Sequence, residues 1–158
     1  MALCYECPRK CGVDRMKQCG YCGVSGETIR IGRASLHMWE EPCISGKNGS
    51  GTIFFAGCNL GCVYCQNKAI SRGGRGQIMS EDELERAMLS LVEQGAHNIN
   101  LVTPMHYAPQ ITKALDISRK NGLSLPIVWN VGGWELPKTV KELKNYADIW
   151  LTDFKYAD

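Results

Sequence analysis

TIFFAGCNLGCVYCQN, residues 52 to 67, decides how this chain is read. Its first part, Thr52 to Gly57, is a short run of β-branched and aromatic residues ending in glycine, which suits a strand buried on both faces. Its second part sets Cys58, Cys62 and Cys65 in a C-x3-C-x2-C loop directly after that strand. Three thiolates on one short loop can wrap a cubane iron–sulfur cluster, ligating three irons and leaving the fourth open. A structural zinc site takes four protein ligands, and no Cys or His follows within the next 30 residues. Zinc and three unrelated buried thiols are the alternatives on spacing alone.

Downstream, helical and strand periods alternate. Residues 71 to 77, SRGGRGQ, read as a loop, and Ser80-Glu81-Asp82-Glu83 is a capping box with Ser80 as N-cap and Glu83 three places on. The apolar residues Leu84, Ala87, Met88, Leu91 and Val92 then follow helical spacing until Gly95. Asn98 to Val102 reads as a strand. Ile111, Ala114 and Leu115 begin a second helix, whose next turn carries Ser118 instead of an apolar residue and which Asn121-Gly122 stops. Pro126 to Val131 is a third strand, Pro137 opens a helix carrying Val140 and Leu143, and Asp148 to Thr152 is a fourth strand. The order β-α-β-α-β-α-β implies a parallel sheet with helices on one or both faces. Sites in such sheets gather at the carboxyl ends of the strands, here Cys58 to Cys65, Thr103 to His106, Asn130 to Gly133, and Asp153 to Lys155.

Composition agrees with one ordinary globular domain: 158 residues, 44% hydrophobic and 22% charged. No apolar run approaches the roughly 20 residues needed to span a bilayer, and the first ten residues lack the apolar core of a secretory signal, so a cytoplasmic location is expected. A net charge of +2 points to neither nucleic acid nor membrane. The nine cysteines are all confined to the first 65 residues, which favours thiolate metal ligands over disulfides spread through a fold.

Met1 to about Ser50 shows no sustained period and reads as a Cys-rich N-terminal segment, with the core domain spanning 51 to 158. Cys4-x2-Cys7 and Cys19-x2-Cys22 are paired CxxC knuckles, the spacing of a four-thiolate structural zinc site. A second iron–sulfur cluster is the rival, with Cys11 or Cys43 as the alternate ligand. Within residues 1 to 35 six basic side chains outnumber three acidic ones, compatible with a zinc-binding module touching nucleic acid. Only Tyr5 and Tyr21 offer stacking platforms there, which weighs against it.

CNLGCVYCQN at the end of a first strand resembles the radical S-adenosylmethionine (SAM) enzymes. CPRKCGVDR, WEEPCISGKNGSGTIFFAGCNLGCVYCQN, HNINLVTPMHY and DIWLTDFKYAD together resemble the relatives of pyruvate formate-lyase activating enzyme. The resemblance implies a partial parallel (βα) barrel with about four strands present, where family members usually complete six, so a truncated, catalytically weak cluster-binding remnant is the competing expectation. It also implies a [4Fe–4S] cluster on Cys58, Cys62 and Cys65 with SAM on the open iron. Reductive cleavage of SAM to a 5′-deoxyadenosyl radical would then allow hydrogen abstraction, with a glycyl radical enzyme as protein substrate and flavodoxin or ferredoxin as electron donor. Tyr64 would pack beside the cluster or adenine. The usual Gly-Gly-Glu of the second strand is replaced by Thr103-Pro104-Met105-His106, so Thr103, His106 or a backbone carbonyl stands in for the acidic contact to SAM. Asn130, Asp153 and Lys155 match the later SAM-binding positions. Without the resemblance, Asp153 reads as a turn cap, Lys155 as a surface cation, Asn130 as part of a Gly-rich turn and His106 as a hydrogen-bonding side chain; His37 and His97 read as structural.

Overall fold

The computed structural model describes residues 3–72 and 74–155. Gly73 of the 71–77 loop and the Tyr156-Ala157-Asp158 end of the last motif lie outside them. Among the described residues the strands form one six-stranded sheet, ordered β3-β1-β2-β4-β5-β6. Strands β2 (Ser50–Phe55), β4 (Ile99–Val102), β5 (Ile127–Val131) and β6 (Ile149–Thr152) are the four read from sequence, and they pair in parallel in chain order. β2 and β5 are almost wholly buried along their length, which is why they read as continuous apolar runs and not as alternation.

Strand β1 (Ile29–His37) corrects the reading of the first 50 residues as lacking a strand. It pairs antiparallel with β2 on one side and with the short edge strand β3 (Gln77–Met79) on the other. Ile29 and Ile31 alternate inward, but the register shifts between Ile31 and Arg33, and none of the residues after that shift is fully buried. That irregularity breaks the two-residue period and hides the strand from pattern reading. β3 has only three residues and no buried one, so it carries no period at all.

Helix α3 (Glu81–Glu93) begins at the expected capping box: the Ser80 hydroxyl accepts from the Glu83 N–H while the Glu83 carboxylate accepts from the Ser80 N–H. Leu84, Met88 and Leu91 are fully buried, each contributing roughly 1.5–3 kcal/mol by burial. Helix α4 (Ala108–Lys120) tolerates Ser118 in its buried stripe because the hydroxyl donates to Ala114 O at 2.7 Å, leaving no orphan polar atom. α3 and α4 pack together and, with Trp129, Leu101, Ile53 and Ile111, close the core. Two single-turn helices, α1 (Pro42–Ser45) and α2 (Lys68–Ser71), flank β2, and α5 (Pro137–Glu142) joins β5 to β6. No described helix is long and apolar enough to cross a membrane.

His106 sits in a 3-10 turn after β4 and is buried, its Nε2 2.8 Å from Ala56 O. Burial, with the Arg15 guanidinium adding to it, lowers its pKa from 6.5 to about 4, so the imidazole is neutral at pH 7. Between those values the unfolded chain binds a proton that the folded chain refuses. Stability therefore falls as pH drops from about 6.5 to about 4, by up to about 3 kcal/mol, and levels off below. Urea midpoints measured across this range should show that loss in the wild type and a flatter profile in His106→Gln, whose amide can still donate to Ala56 O.

Candidate functional site

The carboxyl ends of the parallel strands open into one cavity of about 410 Å³. The loop after β2 contributes Cys58, Cys62, Tyr64 and Cys65. The end of β4 contributes Thr103, β5 contributes Asn130, and the segment after β6 contributes Asp153 and Lys155. Parallel strands must deliver their C-terminal residues to the same edge, so four segments up to about 100 positions apart converge by topology alone. His106 does not line this cavity; its ring Nε2 meets Ala56 O, and the residue lines a second, smaller cavity described below. Thr103 is held at φ 58°, a region a β-branched residue rarely occupies, with its N–H donating to Asn130 O at 2.9 Å. Lys155 is ion-paired with Asp153.

Two carboxylates in the cavity carried no sequence signal. Glu40, from the connection between β1 and β2, receives Asn100 Nδ2 at 2.9 Å and Asn130 Nδ2 at 3.1 Å. Burial raises its pKa, and neighbouring Glu41 adds to the rise. Glu135 follows β5, and burial raises its pKa although it is hydrogen-bonded by the Gly132, Gly133 and Trp134 backbone. A Glu beside a second Glu in WEEPC looks like a solvated surface pair. Only its partners 60 and 90 residues away set Glu40 apart.

Residues 52–156 match the description "Radical SAM superfamily", about two thirds of the chain. The chain belongs to the radical SAM superfamily. It is 29% identical to an uncharacterized protein of Methanocaldococcus jannaschii over 98% of this chain and 46% of that protein. It is 24% identical to the 7-carboxy-7-deazaguanine synthase of Methanothermobacter thermautotrophicus over 87% of this chain and 48% of that protein. The chain spans about half the length of the curated relatives it matches. No solved structure matches it significantly.

Radical SAM proteins bind a [4Fe–4S] cluster and SAM, and the residues around this cavity fit both. Among the described residues no three Cys, His, Asp or Glu side chains converge on a single point as they would around one ion. A cubane does not ask for that, because each thiolate takes a different iron and the three must surround a volume. Cys58, Cys62 and Cys65 all line the wall of the 410 Å³ cavity. The Leu60 N–H donates to Cys58 Sγ at 3.3 Å, and the Ser71 hydroxyl lies 3.4 Å from Cys65 Sγ, where it would donate to a thiolate. Gly61, at φ 79°, leaves room for Tyr21 and Arg72 to press on the loop, where a Cβ would collide with both.

The N-terminal segment is fastened to this radical SAM loop. Arg9 donates from Nε to Asn59 O and from Nη2 to Leu60 O, both at 2.8 Å, while its guanidinium stacks 3.8 Å from the Tyr21 ring centroid and 4.9 Å from that of Trp134. Arg72 donates to Tyr21 O at 2.8 Å and also stacks on the same tyrosine, 4.2 Å from its ring centroid. Arg9→Ala should lower stability by about 1–2 kcal/mol, since part of the fork is solvent-exposed, and reduce iron bound per chain. Arg9→Lys should recover less than half of either, because an ammonium cannot make the bidentate contact. Chemical denaturation and iron analysis of the two variants read these effects.

The structure divides the N-terminal cysteines differently from the paired-CxxC spacing. Cys4, Cys7, Cys11 and Cys22 line one small cavity with Arg9, Arg15 and His106. Cys19 and Cys43 are exposed, and neither lines it. Burial raises the Cys7 and Cys22 pKa values.

Proposed function

We propose that this chain carries the radical-generating site of an activase-like radical SAM enzyme that takes a hydrogen atom from a glycine of a partner protein. The reading rests above all on Cys58, Cys62 and Cys65 sharing one cavity with Thr103, Asn130, Asp153 and Lys155 from the next three strand ends. When bound, the reduced [4Fe–4S] cluster and SAM supply one-electron cleavage of the sulfonium C–S bond, giving methionine and a 5′-deoxyadenosyl radical that abstracts hydrogen.

The chain's own residues orient and enclose that chemistry. Glu40, braced by Asn100 and Asn130, offers the carboxylate that Thr103-Pro104-Met105-His106 lacks, and so becomes the acceptor for the SAM amino group. Lys155, neutralised in part by Asp153, faces the SAM carboxylate, and the strained Thr103 backbone and Tyr64 shape the remaining wall. The four parallel strands are taken as the start of a partial barrel. Residues 1–50 form its metal-binding N-terminal segment, and residues 51–158 its core.

A protein substrate is favoured by the cavity's surroundings: Trp39 and Tyr64 line it while 88% and 61% exposed, and Val63 and Phe154 beside its lining residues are 95% and 89% exposed. The similarity to a deazaguanine synthase makes a small-molecule substrate the competing reading. A nucleic-acid module fits less well, because Arg9, Arg15 and Arg30 spend their guanidiniums on backbone carbonyls of this chain. Cysteine ligands of this kind suit the reducing cytoplasm, with flavodoxin or ferredoxin as the electron source.

The test is anaerobic purification followed by iron, sulfide and product analysis. About four irons and four sulfides per chain, and 5′-deoxyadenosine released from SAM with dithionite, are expected. Zinc without iron, and no SAM cleavage, would leave a cluster-free remnant and overturn the reading.

A further inference from the structure

We propose that Cys4, Cys7, Cys11 and Cys22 bind a single zinc ion that staples the N-terminal segment, with Cys19 and Cys43 left as thiols. The site does not depend on the radical SAM reading of the three-cysteine loop.

Residues 4 to 13 fold back on themselves: the Cys4 N–H donates to Val13 O at 2.9 Å and the Gly12 N–H to Cys4 O at 3.0 Å. This loop brings Cys4, Cys7 and Cys11 to the lining of one small cavity, where no three thiols yet meet at a single point, so the ion would draw them together; its Cys7 turn is closed by the Lys10 N–H donating to Cys7 O at 3.0 Å. Cys22 arrives from the other side, buried, on a stretch whose Cys22 O accepts from the Cys58 N–H at 3.3 Å. The Tyr21 N–H already points at Cys11 Sγ, 3.4 Å away, the backbone-to-sulfur donor that a metal-bound thiolate wants.

Charge points the same way. Four thiolates around Zn²⁺ leave two negative charges, and Arg9 and Arg15 line this cavity. Arg15 spends Nη1 on His106 O and Nη2 on Ser25 O, while its buried Nε has no acceptor. A thiolate would give it one.

Size separates zinc from a cluster. The space between these residues is about 10 Å³, on the scale of one ion once the thiols close around it and far too little for a cubane. There is also a structural need: residues 3–28 contain no helix or strand, and Cys22 and Val24 are their only buried hydrophobic side chains. A segment with so little core requires a cross-link to hold its shape.

The experiment uses the full chain with Cys58, Cys62 and Cys65 all changed to Ala, which removes the other thiolate loop. Purified with Zn²⁺, it should hold one zinc per chain, and the zinc absorption edge should report four sulfur neighbours. Added Cys19→Ser or Cys43→Ser should leave that count unchanged, whereas added Cys7→Ser or Cys11→Ser should lower zinc affinity at least 100-fold. Zinc lost with Cys19→Ser but kept with Cys11→Ser would overturn the ligand set. No zinc under reducing conditions, iron with sulfide in its place, or disulfides among these four cysteines would overturn the site. The edge measurement needs no N-terminal variant, so a misfolded Cys7→Ser protein does not obscure the answer. Failure of SAM cleavage in the parent chain would leave this result untouched.

Discussion

Cys62→Ala is expected to abolish cluster loading and SAM cleavage together. Cys62 is the middle ligand of the C-x3-C-x2-C loop and lines the cavity with Cys58 and Cys65. With only two thiolates remaining, a cubane has an exposed iron beyond the one reserved for SAM, and such clusters fall apart or are never assembled. Iron should drop from about four per chain to a small fraction of one, and 5′-deoxyadenosine formation by more than about 100-fold. The fold should hardly notice. Cys62 is half-buried in a loop without regular structure, so the urea midpoint should move by no more than about 0.5 kcal/mol equivalent. Cys43→Ala, an exposed cysteine outside both cavities, is the control and should change neither quantity. SAM cleavage retained in Cys62→Ala would sink the assignment of the loop.

Gly57→Ala should produce a large loss of stability from a single methyl group. Gly57 links β2 to the cysteine loop at φ 84°, which costs an L residue roughly 1–2 kcal/mol. A Cβ there would stand 2.6 Å from Cys22 O and 2.8 Å from Val24 Cγ1. The first of these is backbone, and it is the acceptor for the Cys58 N–H, so the N-terminal segment cannot step aside without releasing the loop. Together the strain and the collision should cost about 3 kcal/mol or more, read as a lowered denaturation midpoint. Iron loading should fall with it, because the loop loses its backing. A variant of unchanged midpoint would mean that the two segments do not meet at this seam.

Much of the fold was legible because its signals are local. The apolar run of β2, the capping box of α3, and the strand–helix alternation that follows are each decided within a dozen residues by steric and hydrogen-bonding preferences. Cys58, Cys62 and Cys65 were legible for the same reason: three thiolates within eight positions on one loop have few arrangements open to them. Thr103, Asn130, Asp153 and Lys155 were legible at one remove, since parallel pairing delivers strand ends to a common edge wherever the chain has βα units.

What was not legible depends on partners far away in the chain. β1 lost its period at the shift beyond Ile31, and pairing with β2 on one side and β3 on the other keeps it in the sheet. Glu40 becomes a buried carboxylate of the cavity only once Asn100 and Asn130 are brought to it. His106 sits next to strand-end residues in sequence, yet the turn after β4 sends its ring to Ala56 O and away from the cavity. The N-terminal cysteines make the contrast plainest. Two CxxC pairs are equivalent by spacing, but the fold-back of residues 4 to 13 turns Cys11 inward and leaves Cys19 at the surface. Sequence alone determined the periods, the caps and the three-thiol loop, because those follow from neighbours along the chain. Tertiary structure alone decided which carboxylate, which histidine and which fourth cysteine face a cavity, because burial and charge compensation are set by whatever the folded chain places alongside.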